Sequence, residues 1–312
     1  MYLYKGFSLI IASEIEFPEF VPIEADADQV VDLTIKVGKT PELLAGTQVL
    51  EQVYNWATPE EFLLHIIDIV RFHLIGGHTL IIEPFQAQPD WNSIRTFCLS
   101  SMMSAALHFK NILPLHASAI KHQEGLVLFC GISGSGKSTT SLFLNQRGYP
   151  LFCDDICVVR PENIRDGKVY AQASYPMSRI WEDTIQELND SRYHTKNRVR
   201  AEIAKFGNYF HDTFDHQALP IKQIINLGAY NLKEIKTRPI TSKLERLTIL
   251  NVHTFRRRQL EGLQKQADNF KLLSQLTDIP MTNVSRPVRG VPISTLIDLI
   301  EDEFLKPNAI QA

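Results

Sequence analysis

The chain has 312 residues, of which 44% are hydrophobic and 21% charged, with a net charge of −3. That composition is globular and leaves room for one large domain or two ordinary ones with a proper core. It excludes a global basic field of the kind that draws a protein to nucleic acid or an anionic membrane. No apolar stretch reaches the roughly 18 residues that span a bilayer. The opening "MYLYKGFSLI" lacks a charged leader followed by an apolar core and a cleavage site. The expectation is a soluble cytoplasmic protein with no nucleic-acid or membrane partner.

Residues 1–112 read as a separate, mostly β module. "YKGFSLIIA" and "VVDLTIKV" are β-rich runs, and "IIDIVRFHLIGGHTLIIEP" reads as a hairpin turning at Gly76-Gly77. His65, His73 and His78 are scattered along it and assemble no chemistry. "WNSIRTFCLSSMMSAALHFK" then shows helical spacing from Trp91 to Lys110, with Met102 and Met103 as core filler. "ILPLHASAI" opens a strand-rich region. "GLVLFC", a continuous apolar run, fits a strand buried on both faces. The domain boundary is expected here, at 112/113. No Ser/Gly-rich linker marks it, so the two parts are expected to pack closely.

Gly131 through Ser138, in "GISGSGKS", fit the phosphate-loop pattern G-x-x-x-x-G-K-[ST]. Glycines let the backbone curl so that several N–H groups face one anion. The helix that starts at Lys137 adds the positive end of its dipole. Gly131, Ser133, Gly134, Ser135, Gly136, Lys137, Ser138 and Thr139 are the nucleotide-binding candidates, for ATP with magnesium. Lys137 reaches the terminal phosphates, and Ser138 offers its hydroxyl to the metal. Gly148 is placed to end the helix as a left-handed cap.

Asp154-Asp155 end the run "YPLF", which resembles a Walker-B strand. Asp154 lies 17 positions after Lys137, closer than motor ATPases usually place that acid. In a regular strand the two side chains would point to opposite faces, whereas a strand end or bulge would turn both inward. An Asn-Lys-x-Asp base-reading motif and a Leu-Ser-Gly-Gly-Gln transporter signature are both absent. The cysteines are Cys98, Cys130, Cys153 and Cys157. Cys153 and Cys157 flank the aspartates, but zinc would need a second ligand pair, so buried reduced thiols are expected.

Farther on, "SRIWEDTIQEL" and "ISTLIDLIEDEFL" have helical patterning. "QIINLGAYNL" and "LERLTILNV" read as strands bracketing "KEIKTRPITSK", and "RRRQLEGLQKQADNFKLLSQL" is mainly helical. "HDTFDHQ" holds His211, Asp212, Asp215 and His216 and reads as a polar loop. Arg256, Arg257 and Arg258 read as a solvated face, with acidic-peptide binding as the sharper option. Arg179 and Arg286 are candidates for phosphate or acceptor contacts. Helices alternating with strands point to an α/β domain with a mixed sheet.

"LPLHASAI", "GLVLFCGISGSGKSTT" and "RGYPLFCDDICVV" together resemble the HPr serine kinase/phosphorylase family. They look closer still to its shorter relatives, which include kinases encoded with lasso-peptide clusters. "VRFHLIGGHTLIIEP", "SRIWEDTIQEL" and "SRPVRGVPISTLIDLIEDEF" extend the likeness over nearly all the chain. The resemblance implies a P-loop kinase domain of HPr kinase/phosphoenolpyruvate carboxykinase type over residues 113–312, after the β module. It maps a strand histidine to His116 and a base and a metal ligand to the aspartate pair. Asp154 is expected to act as base, with His116, Lys137 and Arg179 beside it, and Asp155 with Ser138 to hold magnesium. The family's long downstream glycine-rich signature is absent, which sets HPr itself aside as the substrate. The implied activity is ATP-dependent phosphorylation of a serine on a peptide or protein. A non-catalytic nucleotide-binding regulatory module and a metabolite kinase stay open, as does self-association into a homo-oligomer.

Overall fold

The computed structural model describes residues 1–26, 29–44, 50–52, 55–123, 125–200 and 202–306. It is a mixed α/β structure built on two large sheets. In the first, nine strands between Tyr2 and Pro84 form one sheet, and the helical segment from Trp91 to Phe109 packs its buried side chains into the same core. The hairpin expected at Gly76-Gly77 is present. Val70–Ile75 and Thr79–Pro84 pair antiparallel, and both glycines have positive φ. "YKGFSLIIA" is itself a second hairpin, because Phe7 and Ser8 turn the chain at positive φ between Tyr2–Gly6 and Leu9–Ser13. The helix from Trp91 widens to a π turn over Cys98–Met102 before resuming at Met103, and all five residues of that turn are buried.

In the second sheet, Gly125–Cys130 runs parallel to Leu219–Tyr230, which runs parallel to Met281–Pro287. Antiparallel strands flank this centre, Ser118–His122 and Leu151–Cys153 on one side and Lys168–Ala173, Cys157–Val159 and Leu113–Leu115 on the other. The sheet is therefore mixed. Alternation along Gly125–Cys130 explains its unbroken apolar sequence. Leu126, Leu128 and Cys130 enter one core layer with Leu250, Leu272 and Leu273, while Val127 and Phe129 enter the opposite layer with Leu144, Leu296 and Ile297. A strand covered on both faces needs apolar residues at every position.

Two sequence expectations are corrected. "LERLTILNV" is a helix, Lys243–Val252, not a strand. "SRIWEDTIQEL" is half strand, because Met177–Trp181 pairs with Lys205–Tyr209 and only Glu182–Leu188 is helical. The cysteines are free and buried, and burial pushes the Cys130 thiol up to about 12.

The two sheets share a core. Ile156, Val158, Tyr175, Met177 and Leu263 pack with Phe7, Phe17, Phe62, Phe72 and the Met102-Met103 pair. Polar contacts reinforce the seam. The Phe7 amide donates to Ser174 O at 2.6 Å, Ser8 Oγ donates to Gln172 Oε1 at 2.6 Å, and Arg160 Nη1 donates to Ser8 O at 2.7 Å. No helix among the described residues is long and apolar enough to cross a membrane.

Candidate active site

The phosphate loop follows the central strand directly. Gly131 has a φ of 148°, and a Cβ there would lie 2.4 Å from both Leu227 O and Ser135 Oγ, so only glycine fits. Gly136, at φ 103°, caps the helix Lys137–Gln146. Gly148 closes that helix with φ 100°, and the Tyr149 amide reaches back to Leu144 O. Lys137 Nζ donates to Gly131 O at 2.9 Å and Ile132 O at 3.4 Å, folding over the loop. Burial lowers its pKa, partly offset by Asp155. Ser135 Oγ is buried with no hydrogen-bond partner. An unpaired buried hydroxyl beside a curled loop fits a bound anion.

The aspartate pair sits where strand Leu151–Cys153 ends, two strands from Gly125–Cys130 in the sheet. Asp155 has a φ of 71°, which turns the chain sharply. The two carboxylates therefore diverge in setting. Asp154 is 1% exposed, and its Oδ1 accepts a 2.6 Å hydrogen bond from Ser118 Oγ. Asp155 lines an open cavity and pairs with Arg179 Nη2 at 2.9 Å. Burial raises the Asp155 carboxyl, but Arg179, His116, Lys205 and Lys137 together bring it below the usual carboxylate value. The sequence-based division gave the base to Asp154. The geometry contradicts that placement, because Asp154 is sealed beneath Ser118 and only Asp155 faces the cavity.

His116 lies in the break between strands Leu113–Leu115 and Ser118–His122, rather than on a strand as the family resemblance implies. Its Nδ1 lies 3.1 Å from Asp155 O and 3.5 Å from Asp155 Oδ1. Burial lowers its pKa, opposed by Asp155. A carbonyl oxygen only accepts, so a neutral His116 carries its proton on Nδ1 and leaves Nε2 as an acceptor. Arg179 also donates from Nη2 to the Tyr175 hydroxyl, and its Nε is buried without a partner. Tyr175 and Asp155 hold the guanidinium charged against its burial.

Two cavities flank the loop. The larger, of about 700 Å³, is lined by Ser133, His116, Asp155 and Arg179 on one side and by Thr96, Ser100 and Ser101 of the first module on the other. The smaller, of about 270 Å³, is lined by Gly136, Thr139, Arg286, the carboxylates of Asp183 and Glu187, and apolar residues including Ile235 and Leu296. Arg286 Nε donates to Ser135 O at 3.3 Å, so this arginine braces the loop itself. The cluster His211, Asp212, Asp215 and His216 lines neither cavity, and Asp215 pairs with Lys121 at 2.6 Å.

Sequence reading missed Ser118, Lys205 and Tyr175, which sit on separate elements and carry no motif. It also missed His253, whose Nε2 lies 2.9 Å from Asn226 Oδ1 and whose backbone carbonyl accepts from the His116 amide at 2.8 Å. Burial lowers His253 to about 4, so it is neutral near pH 7.

No group of three or more His, Cys, Asp or Glu residues among the described residues is arranged so that it could hold a metal ion by itself. Magnesium fits what is present, since it takes a few hard oxygens and keeps water and phosphate ligands. Ser138 and Asp155 supply such oxygens. No protein-family model matches the chain, and no curated protein matches it. Among solved structures, the HPr(Ser) kinase/phosphatase from Coxiella burnetii is similar to it with 14% identity and a TM-score of 0.30, over 60% of this chain and 87% of that one. A likeness of that size carries no functional weight, so the family resemblance rests on the motifs quoted above.

Proposed function

We propose that the protein is an ATP-dependent kinase that transfers a phosphoryl group to a serine hydroxyl on a peptide or protein. The observation that supports this best is the placement of Asp155, which lines a large cavity together with Ser133 of the phosphate loop. A nucleotide-binding module without catalysis has no need of a carboxylate on the open side of its loop.

In this reading the loop amides and Lys137 hold the nucleotide phosphates, and the smaller cavity, of mixed polar and apolar lining, takes the nucleoside. Arg286 keeps the loop curled. Asp155, ionised at neutral pH, receives the acceptor proton as the new oxygen–phosphorus bond forms. The His116 Nδ1–H bond to the Asp155 carbonyl fixes the turn that aims this carboxylate. Arg179, which lines the same cavity as Asp155, stabilises charge on the moving phosphoryl group. Ser138 would hold magnesium, which would supply charge neutralisation, while Asp154, buried against Ser118, anchors the strand end that presents Asp155.

The test is to incubate the protein with ATP and magnesium and, in separate reactions, a serine-containing peptide, HPr, and free serine. Mass spectrometry would look for the gain of one phosphoryl group. Labelling of a peptide supports the reading, labelling of free serine alone would make it a metabolite kinase, and nucleotide binding without any transfer would defeat it.

A further inference from the structure

The net charge of the chain is −3, yet the larger cavity is strongly cationic. Arg179, Arg200, Lys205, Arg256, Arg257 and Arg258 line it, with Asp155 as the one carboxylate among its lining residues. Arg179 is paired with Asp155 and Arg200 with Glu202 at 3.2 Å. The other four have no carboxylate within ion-pair distance among the described residues. Lys205 Nζ lies over the Trp181 ring at 5.5 Å, and Arg256 lies over Phe255 at 5.6 Å. The Arg200 Nε is also buried without a hydrogen-bond partner.

Three of these cations sit on a turn that is held in place from both ends. The Phe255 amide donates to Pro114 O at 2.8 Å, and Phe255 O accepts from Ser104 Oγ and lies 3.1 Å from His108 Nε2. On the far side, Gln259 Nε2 donates to Ser101 O at 3.0 Å. Burial lowers His108 to about 4, so it stays neutral and donates to that carbonyl. Like charges on consecutive residues repel, and a fixed turn keeps them from spreading apart. Nucleotide phosphates are already met by the loop amides and Lys137. The arginine turn belongs instead to the wall formed with Ser100 and Ser101 of the first module, where an acceptor would lie.

Resting on the kinase reading above, we propose that the acceptor is an acidic peptide segment, with carboxylates flanking its serine that dock on Arg256, Arg257 and Arg258. Arginine forks match carboxylates in pairs, and a cavity of about 700 Å³ holds a few extended residues.

Fluorescence anisotropy would compare two labelled peptides of equal length at low salt, one with glutamates and one with glutamines around a central serine. The glutamate peptide should bind about tenfold tighter, the effect of two or three partly exposed ion pairs. The double variant Arg257→Gln/Arg258→Gln should erase that preference while leaving ATP affinity unchanged. Equal binding of the two peptides, or a preference that survives the double variant, would overturn the proposal. So would displacement of the peptide by glycerate at equal charge concentration, or tighter binding of a single-stranded oligonucleotide to the same arginines. A glutamate peptide that binds as expected but never receives phosphate supports this docking and defeats the kinase reading alone.

Discussion

Ser118 Oγ and Asp154 Oδ1 are joined by a 2.6 Å hydrogen bond that is closed off from solvent. Ser118 stands opposite Phe129 in the central sheet, just before the phosphate loop. Replacing it by alanine leaves a buried carboxylate oxygen without its donor. The expected cost is about 1–3 kcal/mol of stability, read from urea unfolding. Ser118→Thr, which keeps a hydroxyl, should recover part of it. An alanine variant as stable as the parent would mean that water reaches Asp154.

The two aspartates should fail in different ways. In the kinase reading, Asp155→Asn removes the carboxylate that would face the acceptor, so turnover should fall by roughly 10²–10⁴ with nucleotide binding largely kept. Asp154→Asn should mainly cost stability, because the amide that replaces a carboxylate oxygen is buried. Steady-state kinetics together with urea unfolding separates the two, and identical effects would remove the assigned division.

Arg179 holds Asp155 ionised against its burial, which gives a pH signature. Because the Asp155 pKa is depressed, activity that needs its ionised form is present above that pKa and is lost as pH falls through it. In Arg179→Gln the burial contribution is no longer opposed by the guanidinium, so the acidic limb of kcat/KM should move to higher pH. The same carboxylate adds stability above its unfolded pKa, and the variant should lose that contribution at neutral pH. An acidic limb that stays in place would identify some other group as the base.

Gly131 offers a test of the loop without touching a charge. Gly131→Ala would force its new methyl against Leu227 O and Ser135 Oγ at 2.4 Å, in a backbone conformation that alanine disfavours. Calorimetry should show ATP affinity lowered by tenfold or more, the effect of losing one charge-assisted contact worth about 1.5–3 kcal/mol. Gly134, at φ 81° with open space around it, should tolerate alanine better sterically.

The phosphate loop, the buried strand before it and the glycine that closes its helix were legible because each rests on a local rule. The Lys243–Val252 helix was legible too, but the wrong signal was weighed. Its β-branched and apolar letters suggest a strand, while Ser242 and Glu245 form a helix start, and the Glu245 amide does bond Ser242 Oγ at 3.3 Å. The division between Asp154 and Asp155 could not be read, because it depends on one left-handed residue at a strand end. Ser118, Tyr175 and Lys205 reach the site through long-range pairing, and sequence spacing carries no trace of that. The three arginines were visible as a run, but their role as a wall depends on contacts with a helix about 150 positions earlier.

The shared core between the two sheets has a consequence for how such a chain can vary. Removing the first module would strip cover from Ile156, Val158, Tyr175 and Met177, and would release the arginine turn from Ser101, Ser104 and His108. The change of sheet before Leu113 is thus not a seam along which the molecule separates. The front half works as a fixed jaw: Thr96, Phe97, Ser100 and Ser101 wall the larger cavity opposite Asp155 and hold the arginine turn beside it. In the kinase reading, a change in acceptor would therefore be recorded in residues 91–109, far in sequence from the loop at residues 131–138.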